Sequence, residues 1–299
     1  MGKASRIKQQ SAREKIAAQR EAARRAERRN RMLITGGSTL AVLVIVLVFV
    51  IVKISQGSPS SPGSSSSNGT LLPASVASQV TGVPAATLDR VGKGSVPAFT
   101  RGQPAFTAGS GAAVTSGGKP EMLYIGAEFC PYCAAMRWSM AIALSRFGTL
   151  TPLHGIHSSP TDANPNTATL TFYKTGYHSP YLAFAPVEVQ TVSRAPLQNP
   201  TKEQNAIWAK YEPDANTRGY PFVAFGNKLV MKGPIYDAGV LKGQSWSQIA
   251  AALKDPASPV AQSVNGAANY ITGAICQMTS NQPANVCSSA AVTAVKSGL

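Results

Sequence analysis

The apolar pattern of the chain changes character three times. Residues 33–52 form a run of 20 without a single charge, including Leu40-Ala-Val-Leu-Val-Ile-Val-Leu-Val-Phe-Val-Ile-Val52. At about 1.5 Å of rise per residue, a helix of that length spans roughly 30 Å, the hydrocarbon thickness of a bilayer. The pattern therefore predicts a transmembrane helix. It exceeds the apolar region of a cleavable signal peptide, about 7 to 15 residues, so it reads as an uncleaved signal anchor. Apolar residues then thin out: Ser, Gly and Pro dominate 55–70, as in a flexible tether.

Short apolar runs mark the rest. Pro73, Pro84, Pro97 and Pro104 allow only short helices across 71–119, such as Ala85 to Val91. Met122-Leu-Tyr-Ile125 predicts a strand leading into Cys130. From Pro131 to Phe147, the residues Met136, Met140, Ala143, Leu144 and Phe147 recur at helical spacing. Arg137, Ser139, Ser145 and Arg146 fall elsewhere on that wheel, and Gly148 is placed to end the helix.

Further strands are expected near Leu150 to Ile156, Thr167 to Tyr173 and Tyr181 to Val192. A helix is expected from Lys202 to Tyr211. Phe222 to Phe225 and Lys228 to Met231 flank Gly226-Asn227, which predicts a tight hairpin. A helix from about Ser247 to Lys254 follows. Ser258-Pro259 starts another, with Val260, Val264, Ala267, Ile271 and Ile275 on its apolar face and Cys276 at its end.

Charge is concentrated before the apolar run. Residues 1–31 hold eleven Lys and Arg against Glu14, Glu21 and Glu27, which is eight of the chain's fifteen net positive charges. Basic residues flanking a span stay in the cytoplasm, so the N-terminus is expected inside, its basic tail lying on anionic lipid. The remaining surplus makes no case for a nucleic-acid partner.

All four cysteines follow the span, in a compartment where disulfides persist, and their spacing favours Cys130 with Cys133 and Cys276 with Cys287. A C-x-x-C pair at the entry to a helix meets unpaired N–H groups and positive potential, which favour a thiolate. Cys130 is the expected nucleophile and Cys133 the resolving thiol. Pro131 fits the first helical turn. Zinc uses the same spacing, but His154, His157 and His178 do not form a compact ligand set with the other cysteines, and no metal is expected. Cys276 and Cys287 read as a structural bridge, and Trp138 as core.

The segment Gly126-Ala-Glu-Phe-Cys-Pro-Tyr-Cys133 with its helix resembles the active-site segment of thioredoxin-fold proteins, and Tyr220-Pro221 before a hairpin resembles that fold's cis-proline loop. The resemblance implies that Tyr220 and Pro221 face the cysteines and hold a substrate backbone, with Tyr132 as a further contact. The sequence is more closely similar to a family of membrane-anchored, thioredoxin-like proteins of bacteria and archaea, a domain of unknown function. The motifs shared with it are Tyr-Ile-Gly-Ala-Glu-Phe-Cys-Pro-Tyr-Cys-Ala-Ala and Arg137-Trp138, within a span of roughly Ala74 to Cys287. Thioredoxins carry a buried acid six residues before the first cysteine. Here Tyr124 occupies that position and Glu128 is the only nearby acid. The 88 residues from Cys133 to Pro221 require an insertion.

The expected class is therefore α/β, a thioredoxin-like fold with an insertion at about 150–215, preceded by a single transmembrane helix. The boundaries are a cytoplasmic tail over 1–32, an anchor over 33–52, a linker over 53–70 and an extension over 71–119. The thioredoxin-like domain covers 120–257 and a helical extension 258–299. The expected function is extracytoplasmic thiol-disulfide exchange on exported cysteine-containing proteins. It needs no organic cofactor, and a membrane redox partner recycles the pair. The alternatives are copper handling, for which such domains typically space their cysteines by three residues, and a non-catalytic binding module.

Overall fold

The computed structural model describes residues 69–97, 99–100 and 103–299. The expected tail, the 33–52 anchor and nearly all of the linker lie outside them. Among the described residues no helix is long and apolar enough to cross a membrane.

The chain begins with β1 (Thr70–Leu71), α1 (Ala74–Thr81) and α2 (Ala85–Val91). Two short strands, β2 (Phe99–Thr100) and β3 (Gln103–Pro104), pair with each other. Next come β4 (Thr107–Ala108), β5 (Thr115–Ser116), β6 (Lys119–Gly126) and α3 (Pro131–Ser145). After α3 come β7 (Thr149–Thr151), β8 (His154–His157), β9 (Ala168–Thr171), β10 (Gly176–His178), β11 (Ala183–Glu188) and α4 (Lys202–Tyr211). The chain closes with β12 (Phe222–Phe225), β13 (Leu229–Lys232), α5 (Trp246–Ala252), α6 (Pro259–Met278), α7 (Ala284–Cys287) and α8 (Ala290–Val295). The architecture is mixed α/β.

The main sheet runs β11-β6-β12-β13-β4, with β5 folded back on the start of β6. β11 lies parallel to β6, so Glu188 pairs with Gly126, and β12 lies antiparallel on the other side, so Phe222 pairs with Ile125. Along β6, Met122 and Tyr124 enter the larger core, whereas Leu123 and Ile125 enter a smaller one with Val187, Trp208, Phe222 and Val230. Burial on both faces is why β6 reads as a continuous apolar run rather than an alternation. The β12–β13 turn places Gly226 and Asn227 at φ 56° and 62°, and the Lys228 N–H closes it on the Phe225 carbonyl at 2.8 Å. Positive φ at both central residues matches the right-handed twist of a hairpin and explains the Gly-Asn pair.

Helix α3 departs from its expected amphipathic form. Every residue from Cys133 to Leu144 is buried, Arg137 and Ser139 included. The helix is enclosed by neighbours on several sides: Ser139 Oγ donates to the Val264 carbonyl of α6 at 2.8 Å, and Trp138 Nε1 donates to the Ala168 carbonyl of β9 at 3.0 Å. The expected strand over Leu150 to Ile156 is two strands, β7 and β8, divided at Pro152, which has no N–H to give a ladder. β9 and β11 are shorter than the expected spans. α6 starts as expected, with the Ser258 hydroxyl accepting the Ala261 N–H, but it buries Asn265 and Asn269 as well as its apolar face. The Asn269 amide donates to the carbonyls of Leu88 and Gly92, tying α2 to the core. On the opposite side of the sheet, α4 carries the expected bounds and a capping box between Thr201 and Gln204.

Candidate functional site

Strand β6 ends at Gly126, and four residues later Cys130 stands at the N-cap of α3 in an extended conformation. Its Sγ accepts the Cys133 N–H at 3.3 Å, one of the donors that a helix start leaves unpaired. Pro131 fills the next position, where its missing N–H removes no bond. Cys130 is 5% exposed and Cys133 is fully buried. The two thiols are therefore unequal. The Cys130 thiol is pulled below its ordinary value, first by the hydrogen bond from the Cys133 side chain, then by the Cys133 N–H and the Arg137 charge, against the opposing effect of burial. Burial pushes the Cys133 thiol well up. In this arrangement the outer sulfur ionises first and the inner one holds a proton.

Tyr220-Pro221, 90 residues from Cys130, comes to the same place because β12 lies beside β6. The peptide bond between them is cis. The Cys130 thiol donates to the Tyr220 carbonyl at 3.9 Å. The Tyr220 ring stands edge-on to Phe129 at 6.2 Å and tilted against Trp208 at 5.7 Å. Tyr132, half-buried, packs against the main core and against the small cluster of Ala127, Phe129, Cys130 and Cys133. The five residues expected at the site are thus gathered there. On its rim, the Arg194 guanidinium lies 3.8 Å from the centre of the Phe129 ring and pairs with Asp162 at 3.0 Å.

Beneath the cysteines lies a polar group that the wheel did not reveal. Arg137, one turn beyond Cys133, donates Nε and Nη2 to the two oxygens of Glu188 at 2.8 and 2.7 Å, and Nη2 also to the Ala127 carbonyl at 2.7 Å. Neither side chain is exposed. Glu188 arrives as the last residue of β11, opposite Gly126. Glu128 is also buried, accepts the Thr171 hydroxyl at 2.7 Å, and is pushed up to about 7, mainly by burial. The sequence signal for this cluster was a charged residue inside an apolar helix and a lone acid closing a strand.

Cys276 and Cys287 are bonded, with Cα atoms 5.6 Å apart, joining the end of α6 to α7. The His157 ring lies 4.4 Å from that of Trp246 and tilted against it, His154 is half-buried and His178 exposed. Among the described residues no three His, Cys, Asp or Glu side chains converge as a metal group.

Residues 106–277 match the family described as Domain of unknown function (DUF929). No curated protein and no solved structure matches the chain.

Proposed function

The chain belongs to the family described as Domain of unknown function (DUF929), and from its site we propose that it is a thiol-disulfide oxidoreductase of thioredoxin-like fold. The observation that carries the reading is the environment of Cys130. It is a slightly exposed thiol at a helix N-terminus, held by the Cys133 N–H and facing the carbonyl before a cis proline. The order of strand, C-x-x-C, helix, X-Pro and hairpin supports the fold assignment. In this assignment the residues at about 150–215 are an insertion.

In this reading, Cys130 as a thiolate attacks a substrate disulfide, and the first substrate sulfur leaves as a thiol. Cys133 then attacks the Cys130 sulfur of the mixed disulfide. The second substrate sulfur leaves with the electron pair of the broken S–S bond, and Cys130 and Cys133 are oxidised. The reverse sequence oxidises a substrate dithiol. Phe129, Tyr132 and Tyr220 frame the approach, and the Tyr220 backbone aligns an extended substrate segment. In the same reading the charge-free run over 33–52 is an anchor and the domain works outside the cytoplasm, with exported cysteine-containing proteins as substrates and a membrane partner that recycles the pair.

The test is equilibration of the full chain against glutathione with thiol trapping. A defined reduction potential for the pair, lost in Cys130→Ser, supports the proposal. A potential near about −120 mV marks an oxidase and one near about −270 mV a reductase. A pair that never exchanges with glutathione overturns it.

A further inference from the structure

Cys133 poses a problem that the exchange chemistry must solve. It is fully buried and its thiol is held well above the ordinary range by desolvation, with the Cys130 sulfur and Glu188 pushing the same way. Yet resolution of a mixed disulfide requires its thiolate, because the thiol is not a nucleophile.

Two buried donors without partners belong to residues that interact with it. Tyr124 points its ring into the main core, edge-on to Phe172 at 5.4 Å. Its hydroxyl lies where a Cβ on Gly126 would come within 2.0 Å, so the absence of a side chain at Gly126 is what lets the hydroxyl reach the level of the cysteines. No hydrogen bond meets that hydroxyl, and the polar groups of α3 that it interacts with are the Arg137 charge and the Cys133 thiol. The second donor is Arg137. Its Nε and Nη2 are committed to Glu188 and Ala127, and Ala127 itself packs with Cys133, while Nη1 is buried without a partner. Residues four apart share a helix face, which sets this guanidinium on the Cys133 side. A buried donor without an acceptor is destabilising. Here there are two of them, and both side chains interact with the Cys133 thiol, which becomes an anion in the exchange proposed above.

We propose that the Tyr124 hydroxyl and Arg137 Nη1 are preorganised donors that receive Cys133 as a thiolate during the resolving step. The inference rests on the redox reading above. Both are positioning residues: Tyr124 offers its hydroxyl, whereas Arg137 acts by charge and is itself fixed by Glu188. The Cys133 thiolate forms a bond to Cys130 Sγ as the bond from Cys130 to the substrate breaks. The departing substrate sulfur takes the electron pair and ends with the proton that Cys133 released. Tyr124 donates a hydrogen bond throughout and keeps its own proton, consistent with its hydroxyl being held well above its usual range.

Tyr124→Phe tests this, since it deletes only an unbonded hydroxyl and leaves the ring packed. In a full-length chain carrying Cys130→Ser, Cys133 is the one cysteine outside the Cys276–Cys287 bridge. Its ionisation can then be followed by the ¹³Cβ shift of labelled cysteine. Adding Tyr124→Phe is expected to raise the Cys133 midpoint by about one pH unit or more. With both cysteines present, Tyr124→Phe is expected to slow resolution of a pre-formed Cys130-glutathione disulfide about tenfold, with the initial attack by Cys130 unchanged. An unchanged Cys133 midpoint overturns the inference. The titration is read in a chain that cannot exchange, so its outcome is separate from failure of the redox function itself, which would appear as no reaction with glutathione.

Discussion

The guanidinium of Arg137 and the carboxylate of Glu188 meet through two hydrogen bonds of 2.8 and 2.7 Å with neither side chain exposed. Fifty-one residues separate them in the chain, and the pair locks helix α3 to the end of strand β11. Glu188 makes two further bonds: its carboxylate accepts the Phe172 N–H at 3.4 Å, and its own N–H donates to the Gln198 amide oxygen at 2.8 Å. A buried pair so enclosed repays its desolvation only while both partners are present.

Removing one partner should therefore be far more damaging than removing both. Glu188→Ala is expected to destabilise the fold by about 3–5 kcal/mol, because it strands a guanidinium in the core. Arg137→Met combined with Glu188→Leu should recover most of that loss. Urea denaturation of the single and double variants measures both. A loss below about 1 kcal/mol for Glu188→Ala would mean that solvent reaches the guanidinium.

Thiolate character at Cys130 depends first on the Cys133 side chain. Alkylation of Cys130 by iodoacetamide should show a midpoint below that of an ordinary thiol, about 8.5. In Cys133→Ala the midpoint should move upward, since the leading stabilising contact is lost while the helix N-terminus remains. Stabilising the thiolate favours the reduced state, so the same reasoning predicts a pair more oxidising than one without such contacts.

The Cys276–Cys287 bridge closes a short loop, its two cysteines 11 residues apart, at the far end of α6. A cross-link of that size stabilises by about 3 kcal/mol in the chain-entropy model. Replacing both cysteines by serine should lower stability by about that amount in thermal or urea unfolding. The rate of exchange at Cys130 should stay the same, and a change of more than about twofold would tie the bridge to the redox chemistry.

How much of this was legible beforehand depended on whether the information was local. The N-cap cysteine, Pro131, the Gly226-Asn227 turn and the Ser258-Pro259 helix start are short-range signals, and each falls where spacing and capping rules put it. The placement of Tyr220 and Pro221 beside Cys130 was legible through resemblance. The polar cluster was not. Arg137 on a helical wheel is a surface residue until one knows that sheet, β9 and α6 enclose α3, and that information resides in pairings 30 to 125 residues away. Tyr124 looked like a lost acid, because the sequence alone does not show that Gly126 makes room for its hydroxyl. The shortened and divided strands between Thr149 and Glu188 reflect tertiary pairing overriding apolar runs.

Glu128 supplies the pH dependence. It is 2% exposed, accepts the Thr171 hydroxyl, and lies near Glu188, and burial pushes its carboxyl from 4.5 up to about 7. The folded state thus binds this proton more tightly than the unfolded chain. Stability from this group is complete below about pH 4.5, where both states are protonated, and is lost as pH rises through about 7. The difference is on the order of 2–3 kcal/mol. Glu128→Gln keeps an oxygen for Thr171 and never ionises, so it should be more stable than the parent chain at pH 8 and little different at pH 4.5. Thermal unfolding across that range checks this, and a parent chain gaining stability relative to Glu128→Gln above pH 7 would show that Glu128 is a working anion, paired with Arg137 instead of protonated.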